Sequence, residues 1–220
     1  MSIKLVIFDL DGTLVDSSPD IRTAINIAIE PYGARPVSVE LTRELVGEGI
    51  TRLMEKVIEI ESLLVATETL VERFLAYYSV HLVELTSVYA GVHETLAMLS
   101  GYRKAIVSNK REDLSRRSLE MLGLAPHFDL VVGSETAPAK KPSPVPIFYV
   151  LDRLGLRPAD AVIVGDSPYD IEAGRSAGIK TVAVTYGYRS AELLRDADAL
   201  IDSMTQLPEI LAQWGADSAA

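Results

Sequence analysis

No cysteine occurs among the 220 residues. That excludes a disulfide framework, a thiolate nucleophile and any metal centre built on sulfur. Histidine is scarce, and none of the 3 present lies in the motifs described below. Positive charge is also short: 21 Lys and Arg face 31 Asp and Glu, a formal net charge of -10. Such a chain has no basic field to neutralise a nucleic-acid backbone, although a local site can still hold a small phosphate ester. Long apolar runs are missing, and Asp9 and Asp11 interrupt the N-terminal one too early for a signal peptide. A soluble cytoplasmic protein is expected, with a small metabolite as partner and neither nucleic acid nor membrane. There is no internal repeat or low-complexity segment. The residues from Gly215 to Ala220 read as a frayed tail.

Short β-branched runs recur at Lys4–Phe8, Lys104–Val107, Leu130–Val132, Ala161–Val164, Thr181–Val184 and Ala199–Ile201. Helical patterns separate most of them, which predicts a parallel sheet covered on both faces. The stretch from about Ser17 to Val88 breaks the rhythm, with no convincing strand. One helical stripe is Ile21, Ala24, Ile25, Ala28, Ile29 and Tyr32, opened by Ser18-Pro19 as N-cap and first turn. Ile50, Leu53, Met54, Val57 and Ile58 form a second stripe. Leu70, Val71, Phe74, Leu75, Tyr78, Leu82 and Leu85 form a third. The expected fold is α/β: a Rossmann-like core from residues 1–16 and 88–220, with an all-α cap over 17–87 inserted after the first strand. Hinges are expected near Val15–Ser18 and Ser87–Gly91. Gly123, Gly155 and Gly178 read as helix stops. A monomer or weak homodimer is expected, any small interface coming from the cap or from a helix over Met204–Trp214.

Four strand exits carry chemistry. The first is Asp9-Leu10-Asp11-Gly12-Thr13, where two carboxylates leave an apolar strand pointing the same way. A half-buried carboxylate pair demands a cation or a shared proton. One can attack an electrophile while the other handles a proton, and Gly12 allows a tight turn with N–H groups facing an anion. The second is Ser108-Asn109-Lys110, which offers a hydroxyl and backbone N–H groups to phosphoryl oxygens and also reads as a cap for a helix over Arg111–Leu122. The third is Lys140-Lys141-Pro142, where a lysine before proline is held extended. The fourth is Gly165-Asp166-Ser167-Pro168-Tyr169-Asp170, a strand exit combined with a Ser167/Asp170 capping box. In such folds ligands bind at the carboxyl ends of the strands.

Asp9-Leu10-Asp11-Gly12-Thr13, Ser108, Lys141 and Gly165-Asp166-x-x-x-Asp170, in that order, resemble the haloacid dehalogenase-like superfamily of phosphotransferases, and the helical insertion resembles its type 1 cap. Asp16-Ser17, Val46-Gly47-Glu48-Gly49 and Ser108-Asn109-Lys110 bring the chain nearest to phosphoglycolate phosphatase-like members. The resemblance implies hydrolysis of a small phosphate monoester through an aspartyl-phosphate. Asp9 is then the nucleophile and Asp11 the proton carrier. Thr13, Ser108, Asn109 and Lys141 hold the phosphoryl group or its loop, with Lys141 also counted as catalytic. It further implies Mg²⁺, bound by the Asp9 side chain, the Asp11 carbonyl and the Asp166 side chain, with Asp170 reaching it through water or supporting a ligand. Specificity is expected from the cap loop Gly47, Glu48, Gly49 and Arg52, with Arg52 as a partner for a substrate carboxylate. Pyrophosphatase, sugar or nucleotide phosphatase, phosphosugar mutase and non-catalytic binding protein stay open as alternatives. A metal-free dehalogenase does not need Asp11 and Asp166. A phosphonate hydrolase needs a cap lysine, and the cap has only Lys56, on a helical pattern.

Overall fold

The computed structural model describes residues 3–216. Its core is a six-stranded parallel sheet of β1 (Leu5–Phe8), β4 (Arg103–Val107), β5 (Leu130–Val132), β6 (Ala161–Gly165), β7 (Lys180–Val184) and β8 (Ala199–Ile201), in the order β5-β4-β1-β6-β7-β8. All six runs predicted from β-branched composition are strands. β1 lies in the middle, and its four residues are fully buried. Period-2 alternation divides its side chains between two cores. Val6 and Phe8 pack with Ile106, Val162 and Val182 under α5 (Val92–Met98) and α9 (Leu207–Ala216). Leu5 and Ile7 pack with Ala105, Ile163 and the inner faces of α7 (Val145–Leu154) and α8 (Pro168–Ala177).

Between β1 and β4 the chain leaves the sheet. β2 (Val15–Asp16) pairs antiparallel with β3 (Ser87–Val88), so entry and exit of the insertion are stapled together. The sequence shows no strand there because two residues carry no periodicity. Four helices lie between them: α1 (Ser18–Ile29), α2 (Val39–Leu45), α3 (Ile50–Glu61) and α4 (Thr67–Tyr78). Ile21, Ile25, Leu53, Met54, Leu70 and Phe74 form their common core, joined by Leu114 from α6 (Glu112–Met121) of the sheet domain. Asp20 is buried and accepts hydrogen bonds from the N–H groups of Glu84, Leu85 and Thr86, which ties α1 to the exit strand.

Local details differ from the sequence reading. Helix α1 starts at Ser18 with Ser17 as N-cap, and neither hydroxyl caps it. The Ser18 hydroxyl donates to Asp16 Oδ1 instead, and the Tyr188 hydroxyl accepts the N–H groups of Ser17 and Ser18. Tyr32 falls in a 3₁₀ turn after α1 and is exposed. Helix α4 stops at Tyr78; Leu82 is buried beyond it, and Leu85 is exposed because the chain is already turning towards β3. Helix α6 takes Arg111, not Ser108, as its N-cap. Gly215 and Ala216 continue α9 rather than fraying, and residues 217–220 lie outside the described region. Helix α9 turns Leu207 and Leu211 into the core and packs Trp214 against it. Among the described residues no helix is long and apolar enough to cross a membrane.

Candidate active site

β1, β4 and β6 end at one edge, and the residues just past them converge. The Asp9 N–H still bonds to Val164 C=O of β6, and the Ser108 N–H to Val132 C=O of β5 (2.9 and 3.0 Å). The carboxylates of Asp9, Asp166 and Asp170 each offer an oxygen within 4.8 Å of the others. Lys141 is buried among them, with Nζ 3.0 Å from Asp9 Oδ1 and 2.6 Å from Asp170 Oδ1. Asn109 holds the lysine's backbone from both sides: Oδ1 accepts the Lys141 N–H (3.0 Å) and Nδ2 donates to its carbonyl (2.9 Å). The other Asp170 oxygen accepts from the Ser167 N–H and hydroxyl (3.1 and 2.6 Å). Asp166 Oδ2 accepts the Tyr188 N–H at 2.7 Å.

The acid loop needs glycine for lack of room. A Cβ at Gly12, whose φ is +86°, falls 2.3 Å from Asp166 Oδ2. One at Gly187 falls equally close to the Asp166 Cβ. Only backbone lets the two loops close on this carboxylate.

Electrostatically the centre has too much negative charge. Burial, reinforced by Asp170 and Asp9, pushes the Asp166 carboxyl up to about 8. Burial also raises Asp9 to about 6; Lys141 opposes this and Asp170 adds to it. For Lys141, burial disfavours the charge, but Asp170 and Asp9 outweigh it and the ammonium is held protonated. Three carboxylates around one lysine leave room, in charge and in ligand type, for a hard cation.

A cavity opens above this centre. Asp9, Asp11, Ser108, Lys110, Asp166 and Arg189 line its polar floor and rim, while Ile21, Val46, Ile50, Leu53 and Phe74 of the cap form an apolar roof. Its volume, measured to the centre of a water-sized sphere, is about 60 Å³.

Most residues expected from the sequence meet here. Asp9, Asp11, Ser108, Asn109 and Asp166 line the cavity, with Lys141 and Asp170 directly beneath. Thr13 does not reach it: the side chain is fully buried, and its hydroxyl has no partner. Gly47 and Gly49 line the cavity, but Glu48 turns away to Lys56 (2.5 Å). Arg52 also lies off the cavity, paired with Glu55 at 2.9 Å. Helix α3 buries Leu53, Met54 and Val57, which turns position 52 to solvent.

Three polar lining residues, Tyr78, Tyr188 and Arg189, carry no functional expectation from the sequence, and Lys110 enters it only as the third residue of Ser108-Asn109-Lys110. Lys110 Nζ contacts Asp11 Oδ1 (3.0 Å) and donates to the Tyr78 hydroxyl (2.7 Å). Burial alone lowers the Lys110 pKa, but Asp11 and Tyr78 reverse this and keep it charged. Burial raises the Tyr78 hydroxyl to about 12, so it stays neutral. Tyr188 and Arg189 follow β7, a fifth strand exit. A tyrosine inside an apolar stripe and a loop without acid or glycine-lysine motif gave no signal; the lysine after Ser108-Asn109 did.

A family model for haloacid dehalogenase-like hydrolases matches residues 6–184. The phosphoglycolate phosphatase of Chromobacterium violaceum is 40% identical over 215 residues, covering 95% of this chain and 96% of that protein. The one from Aquifex aeolicus is 39% identical over 188 residues, 84% of this chain and 86% of its own length. The crystal structure of a predicted phosphoglycolate phosphatase from Haemophilus somnus superimposes with a TM-score of 0.89 at 31% identity, covering 96% of this chain and 98% of that one. With its parallel sheet, inserted helices and carboxylates gathered around a buried lysine, the chain belongs to the haloacid dehalogenase-like hydrolase family.

Proposed function

We propose that this protein is a Mg²⁺-dependent phosphatase of the cytoplasm that hydrolyses 2-phosphoglycolate through a phosphoryl group carried on Asp9. The observation that carries the reading is the convergence of Asp9, Asp166 and Asp170 around Lys141 at the sheet's carboxyl edge. Asp9 attacks phosphorus, and the bond to the glycolate oxygen breaks. Asp11 gives its proton to that oxygen, then takes one from the water that attacks the aspartyl-phosphate, so the enzyme returns unchanged. Lys141 and the Ser108 hydroxyl bind phosphoryl oxygens whose charge is redistributed in the transition state. Asp9, Asp166, the Asp11 carbonyl and Asp170 would hold the metal. All are oxygen donors, which suits Mg²⁺. When bound, the ion neutralises the repulsion between an anionic nucleophile and a phosphate dianion.

The raised carboxyls give this a pH signature. Asp166 and Asp9 bind protons more tightly when folded than the ordinary value of 3.8 allows. Their contribution to stability is therefore complete at low pH and is lost as pH rises to about 8. Mg²⁺ binds the deprotonated form, so its stabilising effect grows over the same range. Melting temperatures with Mg²⁺ and with EDTA should diverge from pH 5 to 8; a constant or shrinking gap contradicts the assignment of the metal to these carboxylates.

The substrate reading rests on Lys110 and on the apolar roof. Lys110 is a buried cation on the cavity wall beside Asp11, where the leaving group departs. A carboxylate one carbon from the ester oxygen fits that position and charge. The roof of Ile21, Val46, Ile50, Leu53 and Phe74 is apolar and offers no side-chain polar partner to a larger leaving group such as a nucleoside. Lys110→Met is expected to lower kcat/KM for 2-phosphoglycolate by roughly 100-fold, with a loss below roughly tenfold for ethyl phosphate, which lacks the carboxylate. Equal losses would assign Lys110 to phosphoryl transfer itself. A wild-type enzyme that does not prefer 2-phosphoglycolate to ethyl phosphate ends the substrate reading.

A further inference from the structure

Five consecutive or near-consecutive main-chain carbonyls of the cap, from Arg43 to Glu48, accept hydrogen bonds from three side chains of the sheet domain. Arg189 Nη1 donates to Arg43 C=O (2.6 Å), and Nη2 donates to Val46 C=O (2.5 Å) and Glu44 C=O (3.3 Å). Asn109 Nδ2 donates to Gly47 C=O (2.8 Å). Lys140 Nζ donates to Glu48 C=O. The carbonyls of Arg43 and Glu44 lie in the last turn of α2, where a helix leaves acceptors unpaired and carries partial negative charge. A planar guanidinium with several donors suits that end.

Each donor is joined to the reaction centre. Asn109 follows Ser108 and clamps the Lys141 backbone. Lys140 precedes Lys141. Arg189 follows Tyr188, whose N–H holds Asp166 and whose hydroxyl takes the N–H groups of Ser17 and Ser18 at the hinge. Tyr186 of the same loop donates to Thr13 C=O. The segment they grip leads into Val46, Ile50 and Leu53, the apolar roof of the cavity.

We propose that Arg189 is a positioning residue that, with Asn109 and Lys140, latches cap segment 43–48 over the loaded site. Because it grips backbone, the latch is indifferent to cap side chains. Because its anchor is the loop that holds Asp166, it sets when the metal and phosphate loops are ordered. The choice of substrates for the test rests on the phosphatase reading above. A nitrophenyl leaving group is bulkier than glycolate and meets the apolar roof of Val46, Ile50 and Leu53 sooner, so a latched roof favours the smaller substrate.

The test compares wild type, Arg189→Ala and Arg189→Lys on two substrates. For Arg189→Ala, kcat/KM for 2-phosphoglycolate is expected to fall by roughly 10- to 100-fold, mostly through KM, while turnover of p-nitrophenyl phosphate rises. Arg189→Lys, which retains a single-point donor, should lie between. A ratio of the two kcat/KM values that changes by less than roughly tenfold overturns the latch, since a general packing defect lowers both substrates together. A second readout needs no substrate. Hydrogen exchange of residues 43–50 should slow in wild type on adding Mg²⁺ with inorganic phosphate, and should not slow in Arg189→Ala; equal slowing in both overturns the proposal. If wild type leaves 2-phosphoglycolate intact, the substrate reading fails while the exchange measurement still decides the latch.

Discussion

Asp9→Asn should lose about 10⁴-fold or more in kcat while folding as well as wild type. The amide keeps the shape of the carboxylate and can still accept a hydrogen bond from Lys141, which lies 3.0 Å from Asp9 Oδ1. It cannot form an acyl phosphate, and loss of a covalent nucleophile is not recovered by the groups left around it. Stability should move the other way or not at all. Burial and Asp170 already push the Asp9 carboxyl up to about 6, so the charged form is disfavoured in the fold. Removing that charge relieves a crowd of three carboxylates around one lysine. Steady-state phosphate release together with a urea titration checks both halves. Activity within tenfold of wild type would remove Asp9 from the chemistry, and a large loss of stability would show that the Asp9–Lys141 pair is a structural strut.

Lys141→Met is expected to damage both properties. The ammonium is buried with Asp9 and Asp170 and is the cation that contacts both. Methionine fills much of the same volume, so packing is largely preserved. The carboxylates lose their counter-charge, and breaking a buried pair by removing one partner costs about 3–5 kcal/mol. Turnover should fall by about 10²–10³-fold from the loss of transition-state charge stabilisation. Mg²⁺ should restore more stability to this variant than to wild type, because the site it enters is one charge more negative. Denaturation with Mg²⁺ and with EDTA measures this directly. A variant within about 1 kcal/mol of wild type in EDTA would mean that the carboxylates stay neutral without the lysine.

Much of this was legible because the fold places function where sequence signals are strongest. β1 reads as a buried strand from four consecutive apolar residues, and Asp9 follows it at once. The same holds for Val107 before Ser108 and for Gly165 before Asp166. A parallel sheet brings such exits to one edge, so motifs about 100 and 160 residues apart in the chain predict a single site. Lys141 could be anticipated from its type and its proline neighbour, but Asn109's two-sided grip on its backbone could not. That grip depends on loops meeting in space.

The cap was less legible. Its helices show as stripes, but a stripe marks the buried face and not what lies beyond it. Tyr78 sits in such a stripe, yet its hydroxyl reaches Lys110 across the domain boundary. Arg52 has the right charge for a substrate carboxylate, but the face of α3 that packs inward points it at Glu55. Arg189 works through main-chain carbonyls, which leave no residue pattern in the segment they hold. The β2–β3 ribbon is too short for any periodicity, though Val15–Ser18 and Ser87–Gly91 were expected as hinges and the ribbon lies in both.

The central claim is that phosphorus passes through Asp9, and trapping the intermediate tests it most directly. Wild-type enzyme mixed with 2-phosphoglycolate and Mg²⁺, quenched in acid during turnover and analysed by peptide mass spectrometry, should carry one phosphoryl group on the peptide containing Asp9. Hydroxylamine should remove it, as expected for an acyl phosphate, and EDTA before mixing should prevent its formation. Steady phosphate release with the label on another residue, or with no phosphorylated peptide at any quench time, would contradict the account.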